Sequence, residues 1–298
     1  MPEPIKITFL GTGAAIPSLR RHPAAILLQY GPDYMLFDCG EGTQLRLEKA
    51  RVSPMKIDKI FITHWHADHF AGLLPLIETL HLSRRKEPLH IYAPEATRFV
   101  DALFELSYWG IGFPISPSDC NEEELEKIFE NDNYEIYSIN VIHSVPSVAY
   151  CFKEKDTWNI NVKKAERFGL KGRQLKKIKK DGKIKVGNKN IKIEEIAKKR
   201  IGKKIVYSGD TEICKKMFKL AEGADLLIHD ATFAEAIEER PHSSAGDVAK
   251  MAKKYKVKKL ILTHLSRRYR DPKEVLEIAK KHFNNVQIAE DLMKIVLK

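Results

Sequence analysis

Four side chains able to hold a metal ion fall within six residues, His64-Trp65-His66-Ala67-Asp68-His69. They follow the apolar run Ile60-Phe61-Ile62-Thr63, which reads as a buried strand. They lead into Phe70-Ala71-Gly72-Leu73-Leu74, which reads as the start of a helix. The four groups therefore sit on a turn at the carboxyl end of a strand, and so short a turn cannot aim them all at one ion. It can serve two neighbouring ions, with His64 and His66 facing one and Asp68 and His69 facing the other. A hydrolase uses that arrangement to make hydroxide at neutral pH. The turn also constrains the fold, because the remaining ligands have to arrive from distant strand ends and one carboxylate has to be shared between the ions.

Three later residues stand in the right setting. His143 follows the alternating segment Tyr134-Glu135-Ile136-Tyr137-Ser138-Ile139-Asn140-Val141. Asp210 follows the short strand Lys204-Ile205-Val206-Tyr207 and a glycine turn, and His264 follows Leu260-Ile261-Leu262-Thr263. All three lie where a strand gives way to a loop, which is where layered α/β proteins collect their binding residues. His22, His81, His90, His229 and His282 have no partner pattern of this kind.

The turn motif and these spacings resemble the metallo-β-lactamase fold superfamily. Carried over by position, the resemblance implies one ion held by His64, His66 and His143 and a second held by Asp68, His69 and His264, with Asp210 bridging them. Zinc suits nitrogen and carboxylate donors best, and manganese or iron stays open. Asp38, at the end of Met35-Leu36-Phe37, would orient a ligand histidine from behind. Finer motifs are similar to those of ribonuclease Z, the endonuclease that trims tRNA precursors at their 3′ ends. They are Phe37-Asp38-Cys39-Gly40-Glu41-Gly42-Thr43-Gln44, Phe9-Leu10-Gly11-Thr12-Gly13-Ala14, Ala231-Thr232-Phe233, His242-Ser243-Ser244-Ala245 and Leu262-Thr263-His264-Leu265-Ser266-Arg267-Arg268-Tyr269. The family's Pro-x-Lys-x-Arg-Asn type loop corresponds to Pro17-Ser18-Leu19-Arg20-Arg21-His22. Here Leu19 and His22 replace the lysine and asparagine, and Arg21 keeps its place as a contact for the RNA 3′ end.

The resemblance implies an αβ/βα four-layer sandwich. It also implies a cut in which hydroxide shared by two zinc ions attacks phosphorus in line. Asp68 would orient or deprotonate that nucleophile. His242, its ring held by Asp230, would donate a proton to the departing ribose 3′ oxygen. The products would be tRNA with a free 3′-hydroxyl and a trailer with a 5′-phosphate. Homodimerisation is a further expectation by resemblance.

The chain carries 51 Lys+Arg against 40 Asp+Glu, a formal +11, and this surplus favours a polyanionic partner. It is concentrated between Lys163 and Lys192, a Lys-rich, Gly-punctuated stretch in which Phe168-Gly169-Leu170 and Ile178 suggest only local packing. The stretch lies between the His143 and Asp210 segments, where ribonuclease Z enzymes carry a protruding arm that grips tRNA. Residues 156–195 are therefore expected to form that arm, with Lys171, Arg173, Lys176, Lys177, Lys179 and Lys180 meeting RNA phosphates.

No Pro-, Gly- or Ser-rich linker divides the 298 residues, and a single domain is expected, with helices near 41–51, 70–82, 95–106, 121–131, 212–221, 244–255 and 272–282. No apolar run reaches membrane-span length, the start shows no signal-peptide pattern, and four scattered cysteines fit reduced thiols. A cytoplasmic enzyme acting on precursor tRNA is thus expected. Two other readings are a small-substrate phosphodiesterase of the same superfamily and a metal-free RNA-binding protein. The basic insertion and the His242 motif weigh against the first, and the full ligand set weighs against the second.

Overall fold

The computed structural model describes residues 3–106, 110–121, 124–187, 189–235, 242–269 and 271–298. Among them, two seven-stranded sheets repeat one plan in mirrored order. The first runs Lys294–Leu297, Ile5–Gly11, Ala25–Tyr30, Asp33–Phe37, Ile57–Phe61, Leu89–Ala93, Ile115–Asp119, with three antiparallel pairings and then three parallel ones. The second runs Val286–Ile288, Leu260–Thr263, Leu226–Asp230, Lys204–Tyr207, Val148–Glu154, Tyr134–Asn140, Glu126–Glu130, parallel first and then antiparallel. The parallel strands Leu226–Asp230 and Leu260–Thr263 are buried along their whole length, because both of their faces are covered.

Between the sheets, Phe9, Ile26, Phe37 and Phe61 meet Tyr150, Phe152, Ile205 and Ile228. Phe37 stacks on Phe61 at 4.9 Å, and Tyr150 meets Phe61 edge-on at 5.4 Å. Outside, the helix Leu73–Leu82 lays Leu73, Leu76, Ile77 and Leu80 on the first sheet, at the spacing of one helical face. The helices Ala245–Lys254 and Lys273–Lys280 cover the second sheet. The layers are therefore helix, sheet, sheet, helix, the expected αβ/βα sandwich. Three tyrosine hydroxyls tie sheet to sheet. Tyr30 donates to Glu154 at 3.0 Å, Tyr150 to the Ile62 carbonyl at 2.7 Å, and Tyr207 to Asp38 at 2.7 Å.

Two expected helices differ. The segment 121–131 holds the edge strand Glu126–Glu130, antiparallel to Tyr134–Asn140, while residues 122 and 123 lie outside the described residues. The spacing of Leu125, Ile128 and Phe129 looks helical. Asn131 overrides it, because its side chain accepts the Asn133 and Tyr134 N–H groups and turns the chain into a hairpin. The helix expected at 70–82 is two pieces, Ala67–Phe70 and Leu73–Leu82. Gly72 sits at the break, and a Cβ there would fall 2.1 Å from the Gly40 carbonyl oxygen, so only glycine lets these backbones touch.

The basic insertion is more ordered than its composition suggests. Strands Thr157–Ile160 and Ala197–Arg200 pair antiparallel and enclose the helices Val162–Arg167 and Arg173–Asp181 and the hairpin Lys183–Val186/Lys189–Lys192. Ala165, Leu170, Ile178, Ile191, Ile193 and Ile196 form a small core of its own. The paired unit ends at Arg200, five residues beyond the expected boundary at 195. The lysines of the returning strand conceal its pairing with Thr157–Ile160.

Candidate metal centre

The expected ligands gather at one end of the sandwich, beyond the carboxyl ends of the parallel strands Ile57–Phe61, Lys204–Tyr207 and Leu260–Thr263. Donor atoms of His64, His66 and His143 form one group within 4.8 Å of one another, and those of Asp68, His69 and His264 form a second. Asp210 lies between the groups. One of its oxygens is 3.4 Å from His69 Nε2, and the other is 3.3 Å from His264 Nε2 and 4.0 Å from His64 Nε2.

The donors fit a metal better than they fit one another. His66 Nδ1 lies 3.1 Å from His64 Nε2 and 3.2 Å from His143 Nε2, and His69 Nε2 lies 3.4 Å from His264 Nε2. Nitrogens about 2.05 Å from a tetrahedral ion would be about 3.3 Å apart, so these spacings are those of a coordination edge. Asp210 Oδ1 is buried and makes no hydrogen bond, and its approach to His69 lacks hydrogen-bond alignment. An orphaned carboxylate oxygen facing imidazole nitrogens is an acceptor waiting for a cation.

The supporting shell fixes which nitrogen faces inward. Asp38, held at a left-handed φ of 55°, accepts the Thr63 N–H at 2.8 Å, the Tyr207 hydroxyl at 2.7 Å and the His69 Nδ1–H at 2.7 Å. His69 Nε2 therefore keeps its lone pair for the centre. Thr63 Oγ1 gives its proton to Asp38 and can accept from His64 Nδ1 at 3.1 Å, which frees His64 Nε2. Thr232 repeats the device on the other side, giving its proton to Asp230 at 2.7 Å and accepting from His264 Nδ1 at 3.0 Å. Sequence reasoning found Asp38 but missed Thr63, Tyr207 and Thr232. A hydroxyl closing an apolar strand just before a ligand histidine was the available signal for Thr63. Tyr207 gave none, because its target lies on the other sheet.

With protons as the only cations, the charges are distributed unevenly. Burial, reinforced by the neighbouring imidazoles, holds His64 well below the usual histidine range. Burial would lower His69 too, but the charges of Asp210 and Asp38 and the hydrogen bond to Asp38 lift it well above that range. His264 is raised to about 10 against its burial, by the charges of Asp210 and Asp230 and by the hydrogen bond to Asp68. Burial would raise Asp68 and Asp230, yet their partners hold both well below the carboxylate range. For Asp68 the main partner is the hydrogen-bonded His264, and for Asp230 it is the hydrogen-bonded His242, with the His264 charge beside it. The carboxylates are thus ionised and draw cationic charge inward.

Asp230 also holds His242, whose Nδ1 lies 3.0 Å from Asp230 Oδ2. The His242 ring sits 5.3 Å from that of His143 and 5.5 Å from that of His264, and its side chain is 20% exposed. Asp68 Oδ2 accepts the Ala15 N–H at 2.8 Å, which ties the 12–22 loop to the centre. Arg21 on that loop is committed inward, with one guanidinium nitrogen 2.6 Å from both Thr12 Oγ1 and the Ala289 carbonyl. Lys171, Arg173, Lys176, Lys177, Lys179 and Lys180 are exposed on the insertion and are not brought to the centre. The insertion leaves Val148–Glu154 at its far end. The near end is marked by the Val148 N–H, which donates to the Thr63 carbonyl. At about 3.3 Å per residue, some 20 Å of strand separates the two ends.

Comparison with known proteins gives a consistent picture. A family model described as beta-lactamase superfamily domain matches residues 195–265, and one described as anti-Pycsar protein Apyc1 matches residues 5–144. A curated ribonuclease Z from Methanosarcina acetivorans is 40% identical over 300 residues, covering 98% of this chain and 97% of the relative. One from Archaeoglobus fulgidus is 41% identical over 300 residues, covering 97% of each. Among solved structures, the short form of human tRNase Z superposes with a TM-score of 0.71 at 30% identity, covering 97% of this chain and 98% of that one.

Proposed function

This chain belongs to the ribonuclease Z family, and from that premise we propose that it is a zinc-dependent endoribonuclease that removes the 3′ trailer from precursor tRNA. The observation that carries the reading is Asp210, buried, orphaned at Oδ1 and flanked by histidines of both donor groups. His64, His66 and His143 would hold one ion, Asp68, His69 and His264 the other, and Asp210 both. Bound there, the ions would supply Lewis acidity, a nucleophile from water at neutral pH and charge compensation at the phosphoryl oxygens. Zinc suits this donor set best, with manganese or iron as competitors in the metal assay.

The chain's own side chains have distinct tasks. Asp68, steadied by the Ala15 N–H, orients the attacking water and can take its proton. His242, held through Nδ1 by Asp230, offers its other ring nitrogen to the departing ribose 3′ oxygen. Phosphorus–oxygen cleavage then leaves tRNA with a 3′-hydroxyl and a trailer with a 5′-phosphate. Lys171, Arg173, Lys176, Lys177, Lys179 and Lys180 on the insertion would grip the tRNA body through its phosphates. Arg21 would act at the RNA 3′ end chiefly by bracing the 12–22 loop. Residues 1–298 would work as one domain, as a homodimer and in the cytoplasm. The four described cysteines are free and buried, and among the described residues no helix is long and apolar enough to cross a membrane.

The test is to incubate a labelled precursor tRNA with the zinc-loaded protein and map the cut to the nucleotide. Removal of residues 160–190 should abolish tight precursor binding while sparing hydrolysis of bis(p-nitrophenyl) phosphate. Equal loss of both activities would make the insertion a structural element only.

A further inference from the structure

The insertion joins the body through two crossings, at residues 154–157 and 200–204. Its apolar core draws only on residues 158–197 and does not merge with the cores of the sandwich. An open polar cleft of about 250 Å³ separates its base from the body, lined by Tyr30, Asn133, Trp158 and Lys179 among others. Apolar packing is therefore poorly placed to set the angle at which the insertion leaves the sheets.

Polar contacts can set it, and they converge on one buried carboxylate. Glu154, the last residue of its strand, is 1% exposed. Arg200, the last residue of the returning strand, grips it with both terminal guanidinium nitrogens at 2.9 Å each. The Tyr30 hydroxyl, from the other sheet, donates to it at 3.0 Å, and so does the Lys203 N–H at 3.0 Å. Glu154 thus joins three bodies, namely the first sheet, the second sheet and the insertion. The crossing chains are held close beside it. The Gly202 N–H donates to Asp156 at 2.9 Å, and a Cβ on Gly202 would fall 1.9 Å from the Glu154 carbonyl oxygen. A forked, two-bond arginine–carboxylate pair fixes direction as well as distance, which a single ammonium contact does not.

We propose that Glu154 and Arg200 are positioning residues for precursor cleavage, locking the angle of the basic insertion so that bound RNA meets the distant metal centre in register. This rests on the reading of the insertion as the RNA-gripping arm. Neither residue touches the metal centre, and the strand between them and His143 spans the sheet. Their loss should therefore be felt by a large substrate and not by a small one.

The test compares four full-length, zinc-loaded proteins: the parent, Arg200→Lys, the double variant Glu154→Gln/Arg200→Gln, and a variant with Arg173, Lys176, Lys177 and Lys180 changed to alanine. The double substitution leaves no unpaired buried charge, so it keeps the test interpretable if single substitutions misfold. In the double variant the precursor KM should rise about tenfold or more and the cut should spread over neighbouring nucleotides, while kcat and KM for bis(p-nitrophenyl) phosphate hold within about twofold. Arg200→Lys, which keeps the charge but loses the fork, should fall between the double variant and the parent. If precursor KM and cut position stay at parent values in the double variant while the four-alanine variant loses precursor binding, the lock is refuted and the arm reading stands. If the four-alanine variant binds precursor as the parent does, the arm reading fails and takes the lock with it. Parallel loss of both substrates in the double variant would make the pair a structural bond of the body and would overturn the proposal.

Discussion

At the scale of single residues, the centre is governed by which imidazole nitrogen each hydroxyl or carboxylate claims. Asp38 claims His69 Nδ1, and its own orientation depends on Tyr207 and Thr63. Tyr207→Phe removes one of those donors without touching a ligand. It should weaken zinc binding by about 10–100-fold in a chelator competition, with little change in fold, and unchanged affinity would show that Asp38 needs no help. His242→Ala should leave the metal content at the parent level and slow single-turnover cleavage by about 10²–10⁴-fold. An unchanged rate would remove it as proton donor. The candidate ligands were legible in the sequence because each lies where a strand gives way to a loop, after an apolar run for His64–His69 and His264, an alternating segment for His143, and a short strand with a glycine turn for Asp210. The hydroxyls behind them were not, because their targets depend on how two sheets face each other. Tyr207 reads as one more buried aromatic until Asp38 is placed opposite it.

At the scale of elements, strand ends do the positioning. Gly209 precedes Asp210 at φ 58°, and a Cβ there would lie 2.7 Å from Thr63 Cβ. Gly209→Ala should cost about 1–3 kcal/mol of stability from backbone strain alone, with added loss of zinc affinity as Thr63 and Asp210 are pushed apart. A variant as stable and as metal-bound as the parent would contradict this placement. Asp225, just before the strand Leu226–Asp230, accepts the Lys204 N–H at 3.0 Å and the Lys258 ammonium at 3.0 Å. Burial would raise its pKa, but these bonds and the Lys203 charge hold it below the usual range. Its contribution is therefore full above the unfolded value near 4 and is lost as pH falls from there through the lower folded value. Asp225 is partly exposed, so solvent screening keeps this to under about 1 kcal/mol. Asp225→Asn should flatten the acid limb of a stability-versus-pH curve by that amount and leave the neutral region lower. Strand and helix order was readable from periodicity across most of both sheets. It failed at Glu126–Glu130, where three apolar residues at helical spacing were overruled by an asparagine turn. It failed again in the insertion, where isoleucines spaced among lysines form a core only when two helices and a hairpin fold together.

At the scale of the whole molecule, the chemistry and the positive charge occupy different places. The candidate metal centre lies at one end of the sheets, and the basic insertion leaves the second sheet from the other. Arg173, Lys176, Lys177 and Lys180 follow one exposed helical stripe, while Ile178 turns into the core. If each meets a phosphate, replacing all four with alanine should lower the slope of log binding constant against log salt by about 0.7–0.9 per cation lost. A slope equal to the parent's would remove that stripe from the RNA interface. The fold carries its basic insertion far from the candidate centre, so substrate size should decide which substitutions are felt.

The proposed centre requires seven side chains, from His64 to His264, to close around two cations. Metal content after exhaustive dialysis, measured by plasma mass spectrometry, tests it directly when the parent is compared with His64→Ala and Asp210→Ala. The parent should retain close to two zinc equivalents per chain, His64→Ala should lose one or both, and Asp210→Ala should lose both. A parent that retains one equivalent or none, or an Asp210→Ala variant that keeps two, would contradict it.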